Sequence, residues 1–179
     1  MPDYHRVYVE GGTYFFTAVT YQRYPVFQEN QAIEKLNYSI QNTIQRFPFD
    51  IDAFVILPDH MHMIWTLPLN DLDFSNRWRT IKATFSRVYH GPHHSPSESM
   101  NRKGEHGIWQ RRFWEHVIRN QDDFNRHCDY IHYNPIKHGM VNSPSEWEYS
   151  SFREYVRKGL YNQDWGKSQQ KTLLEMNLE

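Results

Sequence analysis

The chain has 179 residues, 39% of them hydrophobic and 16% aromatic, enough for one domain with a substantial core. Twenty Lys and Arg against 21 Asp and Glu leave a net charge of -1, which excludes binding of an anionic polymer through an overall basic field. The single cysteine, Cys128, excludes an intramolecular disulfide, and no apolar run has the length of a membrane span or a signal-peptide core, so the expected setting is reducing and cytoplasmic.

Residues 6–10 and 13–21 read as strands, with Gly11-Gly12 between them as a turn or bulge. From Asn30, a candidate N-cap, Ile33, Leu36, Ile40 and Ile44 recur at helical spacing until Pro48. Residues 51–57 read as the next strand, and Pro58-Asp59 turns the chain into a strand over 60–67. Along that strand successive side chains alternate faces, so His60 and His62 share one face while Met61, Met63, Trp65 and Leu67 share the apolar other. Two neutral imidazoles about 7 Å apart on a rigid sheet can converge on one divalent ion. A His-x-His pair alone is weak, since a half-exposed strand carrying two polar residues looks the same.

Ser75 is a candidate cap for a second helix with Trp78, Ile81, Phe85 and Val88 as its buried stripe. Residues 91–107 (GPHHSPSESMNRKGEHG) are almost without apolar content and read as a mobile loop. A strand ends the stretch 108–118. A third helix follows Asn120, which with Asp123 resembles a capping box, and Pro135 is expected to end it. On this helix Phe124, Cys128 and Ile131 form the core stripe, and Arg126, Tyr130 and Asn134 share a second face at i, i+4 steps. Cys128 reads as a small core residue. One short helix near 147–156 follows, and we expect a single domain over 1–161 with a polar tail over 162–179. The order strand, helix, strand, strand, helix, strand, helix gives an α+β, ferredoxin-like antiparallel sheet (βαββαβ) with helices packed on one face and a site on the open face. Charge is uneven along the chain. Residues 75–119 carry nine Lys/Arg against three Asp/Glu, and residues 1–70 carry four against seven.

Three stretches together resemble a known family. His60-Met61-His62 is similar to the His-hydrophobic-His motif of HUH single-strand endonucleases, and Tyr130 on the downstream helix to the lone nucleophile of tyrosine transposases. The stretches FVILPDHMH (54–62), WQRRFWEH (109–116) and DYIHYNPIKHG (129–139) resemble REP-associated tyrosine transposases, and the likeness runs from about residue 4 to 161. The resemblance implies a metal site of His60, His62 and Asn134, where many relatives have Gln at the last position. It implies Mg²⁺ or Mn²⁺ as cofactor, Tyr130 as nucleophile and a 5′-phosphotyrosine intermediate. The expected partner is single-stranded or hairpin DNA, with no membrane partner and a monomer favoured over a homodimer. Arg77, Arg79, Lys82, Arg111, Arg112 and Arg119 are candidate phosphate contacts, and Trp109 and Phe113 candidate base-stacking platforms. Two other readings stand beside it: a phosphodiesterase in which water attacks, and a non-catalytic single-strand binder.

Overall fold

The structure is a computed structural model that describes residues 6–166. Four strands, β1 (Thr13–Val19), β2 (Asp50–Ile56), β3 (His60–Thr66) and β4 (Trp114–Val117), form one antiparallel sheet in the order β2-β3-β1-β4. Helices α1 (Asn30–Arg46) and α2 (Phe74–Val88) connect them in the expected ferredoxin-like arrangement, followed by α4 (Gln121–Lys137) and α5 (Phe152–Arg157). The pleat sorts the side chains. Tyr14, Phe16, Ala18, Met61, Met63, Trp65 and Leu67 meet Ile33, Leu36 and Ile40 of α1 and Phe74, Trp78, Ile81 and Phe85 of α2. Phe15, Ala53, Val55, Leu57 and Ile64 lie on the opposite face and meet Cys128, Tyr130 and Ile131 of α4.

Both faces are therefore covered, which corrects the expectation of an open one. Helix α4 is buried on two sides, by the sheet and by the segment that carries α5. Its residues from His127 to Pro135, all but Asp129, are buried. Pro135 does not end it. The helix runs to Lys137, because a proline in the last turn removes only one i→i−4 bond.

Other expectations change for similar reasons of competition. Residues 6–10 form no strand, because β3 and β4 already flank β1; Tyr8 instead stacks on Phe74 at 5.1 Å. Asn30 does not cap α1: its side chain accepts from the Tyr149 hydroxyl. Asp73 rather than Ser75 caps α2, accepting from the Asn76 N–H, while the Ser75 hydroxyl accepts from Arg6. The loop after α2 contains one short helix, α3 (Glu98–Asn101), capped by Ser97 and anchored by the buried Met100. Residues 149–151 pair with the outer half of β2, through Ile56 N–H to the Tyr149 carbonyl and Ser151 N–H to the Phe54 carbonyl, which covers that sheet edge. Trp165 stacks on Tyr161 at 4.4 Å; the rest of the expected tail, 167–179, lies outside the described residues. Among the described residues no helix is long and apolar enough to cross a membrane.

Candidate active site

His60 and His62 open β3, opposite Val19 and Thr17 of β1, and their rings project toward α4. Their centroids are 5.0 Å apart at 80°, and both residues are buried, His60 1% and His62 0% exposed. Each ring is oriented through Nδ1. Asp59 Oδ1 accepts from His60 Nδ1 at 2.6 Å, and the Thr17 hydroxyl meets His62 Nδ1 at 2.8 Å. The Asp59 carboxylate can only accept, so His60 Nδ1 carries the proton and its Nε2 is turned to the site, while the Thr17 hydroxyl fixes the orientation of the His62 ring. Burial raises the Asp59 pKa, but the hydrogen bonds and charges of His60 and Arg23 outweigh it and hold the carboxyl at about 2. Burial, reinforced by His60, Lys137, His138 and Arg23, pushes His62 well below the ordinary imidazole range, so it stays neutral, as a ligand must.

Tyr130 packs its ring against His62 at 5.2 Å and Phe15 at 6.0 Å. It is 1% exposed and belongs to the core under α4, which corrects its expected place off the core stripe. Asn134, one turn later, is fully buried, and neither atom of its amide has a hydrogen-bond partner; the same holds for His62 Nε2. Unpaired buried polar atoms cost roughly 1–3 kcal/mol each, so this grouping calls for an explanation. The expected ligand residues His60 and His62 are thus side by side, with Asn134 one turn along α4 from the tyrosine that touches His62. Lys137, on the same helix face, donates from Nζ to the Tyr130 hydroxyl at 3.3 Å, and its ammonium lies 4.9 Å from the ring centroid. No sequence signal marked Asp59 or Thr17, whereas Lys137 lies seven positions after Tyr130, and two helical turns place both on one face.

A second polar group lies where β4 meets the start of α4. His116 Nε2 donates to Asp123 Oδ2 at 2.9 Å, His127 Nδ1 donates to the Asp123 carbonyl at 2.8 Å, and the two rings stack at 4.7 Å. The ligand atoms of His116, Asp123 and His127 all lie within 4.8 Å of one another and could hold a metal ion. They also cap α4: the Asp123 carboxylate accepts the Arg119 N–H, and Asn120 accepts the Asp123 N–H. Burial pulls the His127 pKa down, keeping that ring neutral.

The candidate DNA contacts divide. Arg79, Lys82, Arg111 and Phe113 line one cleft of about 490 Å³ beside α2, together with Arg6 and Trp109. Burial, with a smaller contribution from Arg6, lowers the Lys82 pKa to about 8; Nζ donates to the Gln110 carbonyl and sits over the Trp109 and Phe113 rings at 5.6 and 5.8 Å. Arg111 pairs with Glu105 at 2.8 Å, and Arg112 is exposed. Arg119, also exposed, precedes α4. Two of the expected contacts are buried. Arg77 is 2% exposed, and its guanidinium holds Asp71, the Pro48 carbonyl and the Asp73 carbonyl, so it joins α2 to its surroundings and is not at the surface. Trp109 lines the cleft but is only 7% exposed and packs against Phe27 and Phe85, so little of its ring is open to a base. Cys128 is a core residue as expected, its thiol beside the Tyr155 hydroxyl and pushed up to about 12 by burial.

The sequence profile of the family described as "Transposase IS200 like" matches residues 8–134. A REP-associated tyrosine transposase of Escherichia coli (strain K12) is 44% identical over 165 residues, 92% of this chain and 91% of its own. A relative from Haemophilus influenzae is 39% identical over 166 residues, 93% of this chain and 94% of its own. The solved structure of a REP-associated tyrosine transposase bound to a REP hairpin is similar at a TM-score of 0.77, with 44% identity, covering 92% of this chain and 91% of that one.

Proposed function

The chain belongs to the IS200-like transposase family, and from that premise we propose that it cleaves and rejoins single-stranded DNA at hairpins of the REP type, with Tyr130 as nucleophile and a 5′-phosphotyrosine intermediate. The observation that carries this reading is the packing of the Tyr130 ring on His62, in a core where His62 Nε2 and the Asn134 amide have no protein partner. The relative bound to a REP hairpin supports the substrate.

His60, His62 and Asn134 fit a divalent ion: two imidazoles oriented through Nδ1 and an amide oxygen bring no negative charge against a phosphate. Mg²⁺ or Mn²⁺ held there would polarise the scissile phosphate, with the nitrogen donors favouring Mn²⁺. The chain's own groups do the rest. Asp59 and Thr17 keep the imidazoles in register. The Tyr130 phenol gives its proton to water, its oxygen attacks phosphorus, and the bond to the 3′ oxygen breaks; that oxygen departs with the electron pair and takes a proton from water to become a 3′-hydroxyl. The phosphotyrosine retains the phosphodiester energy, so the strand can be rejoined or passed to another 3′-hydroxyl. Tyr130 and His62 meet within one chain, which supports a monomer as the acting unit. Arg79, Lys82, Arg111 and Phe113 offer the DNA a basic, aromatic cleft, with Arg112 and Arg119 as outlying phosphate contacts.

The test is a hairpin oligonucleotide labelled on the 3′ side of the nick and incubated with Mn²⁺. Wild type should give a shifted species that survives denaturation, and Tyr130→Phe and EDTA should each abolish it. Cleavage without an adduct would make water the nucleophile. Binding with no cleavage under any metal would make the protein a binder.

A further inference from the structure

A lysine in the last turn of a helix usually has a modest explanation: its charge suits the partial negative charge of the helix C-terminus, and its head stays in water. Lys137 is the last residue of α4, but its side chain does something else. It runs back along the helix and lays its ammonium over the Tyr130 ring, with Nζ 3.3 Å from the hydroxyl. Helical side chains lean toward the N-terminus, and a residue seven positions on is nearly eclipsed with the first, so an extended lysine is the side chain that spans the gap. Two other positive or ionisable groups near His62 have partners of their own. Arg23 pairs with Asp59 at 3.1 Å, and the His138 ring lies against His60 at 5.1 Å. Lys137 is hydrogen-bonded to the Tyr130 oxygen itself.

We propose that Lys137 is a catalytic residue of this centre, donating a hydrogen bond to the Tyr130 oxygen and holding the negative charge that gathers there and on the phosphoryl group; this rests on Tyr130 as nucleophile. The phenol gives its proton to water, the oxygen forms its bond to phosphorus, and the 3′ oxygen departs with the electron pair and takes a proton from water. Lys137 keeps its hydrogen bond to the oxygen and transfers no proton. In the reverse step the same ammonium meets the departing tyrosine oxygen. A donor that serves one transition state from both sides changes the forward and reverse rates together.

The experiment compares wild type, Lys137→Met, Lys137→Arg and Tyr130→Phe as full chains with a labelled synthetic hairpin and Mn²⁺ in single turnover. The readouts are adduct formation, rejoining, hairpin Kd and thermal midpoint. Met keeps the stem that packs over the ring and removes the charge. The Lys137→Met variant should lose about 10²–10³-fold in both adduct formation and rejoining, comparable to removing one transition-state donor. The adduct fraction at equilibrium, the hairpin Kd and the thermal midpoint should stay at wild-type values, and Lys137→Arg should recover much of the rate. A weaker Kd at unchanged rate, or an adduct fraction that shifts because only one direction slows, overturns the proposal. Should Lys137→Met fail to fold, Lys137→Arg decides: a loss as large as that of Tyr130→Phe makes the contact a packing requirement and overturns it too. If wild type forms an adduct and Lys137→Met forms it equally fast, Lys137 is refuted while Tyr130 stands. If wild type never forms one, the nucleophile itself is wrong.

Discussion

On one face of the sheet Phe16, Met63 and Trp65 pack with Ile81 and Trp78 of α2; on the other lie His60, His62 and Thr17, with Tyr130 of α4 packed on His62 and the buried Asn134 one turn further along that helix. Both interfaces are buried and rich in aromatic rings. The buried polar atoms differ in kind. The first face leaves the indole N–H groups of Trp78 and Trp109 without partners, and these are donors with no affinity for a cation. The second leaves an imidazole lone pair and an amide, which a cation can use. A core built for stability would not bury such acceptors unpaired. The contrast supports the proposal that α4 covers a reaction centre.

Substitutions at matched depth sharpen that contrast. Ile81→Ala should cost about 2–5 kcal/mol of stability, as large-to-small changes in packed cores do, read from the urea midpoint with an unchanged slope. Asn134→Leu, of similar volume and equally buried, should move the other way and raise the metal-free stability by about 1–3 kcal/mol, since it removes two unpaired polar atoms. It should also abolish cleavage. Mn²⁺ should raise the thermal midpoint of wild type and leave Asn134→Leu unmoved; an equal shift in both would place the ion elsewhere, the His116–Asp123–His127 group being the first place to look. A loss of stability in Asn134→Leu would remove the distinction between the two faces.

The outer side of α4 supplies a smaller test through pH. Burial holds His132 neutral with a pKa of about 3, against 6.5 for a free imidazole, while its Nε2 meets the Ser151 hydroxyl at 2.8 Å. Between those values the unfolded chain binds a proton that the folded chain does not. Stability should therefore fall as pH drops below 6.5 and go on falling toward 3, by about 1–2 kcal/mol between pH 7 and 5 from this residue. His132→Gln should flatten that slope in urea titrations at the two pH values. An unchanged slope would assign it to other groups, neutral His62 among them.

Period-two alternation was enough to read His60 and His62 onto one face and Met61, Met63 and Trp65 onto the other, because a paired strand has no freedom to do otherwise. The i, i+4 relation of Tyr130 and Asn134 was equally legible. What α4 covers was not. Its amphipathic reading assumed one buried side, but the helix lies between the sheet and the segment around Phe152, Tyr155 and Tyr161, so polar residues such as His132 and Asn134 are as deeply buried as Ile131. Arg77 misled for a related reason: a basic residue in a basic stretch reads as surface, and only the fold brings Asp71 and the Pro48 carbonyl to it.

The most direct test of the reaction centre under α4 is to identify the atom that carries the DNA. Wild-type protein trapped on a hairpin with Mn²⁺, then digested with nuclease and trypsin, leaves one peptide bearing a nucleotide remnant for mass spectrometry. The remnant should sit on Tyr130, attached through a 5′ phosphate. Attachment at Tyr133 or any other residue, or a cleaved hairpin with no modified peptide at all, would contradict the account.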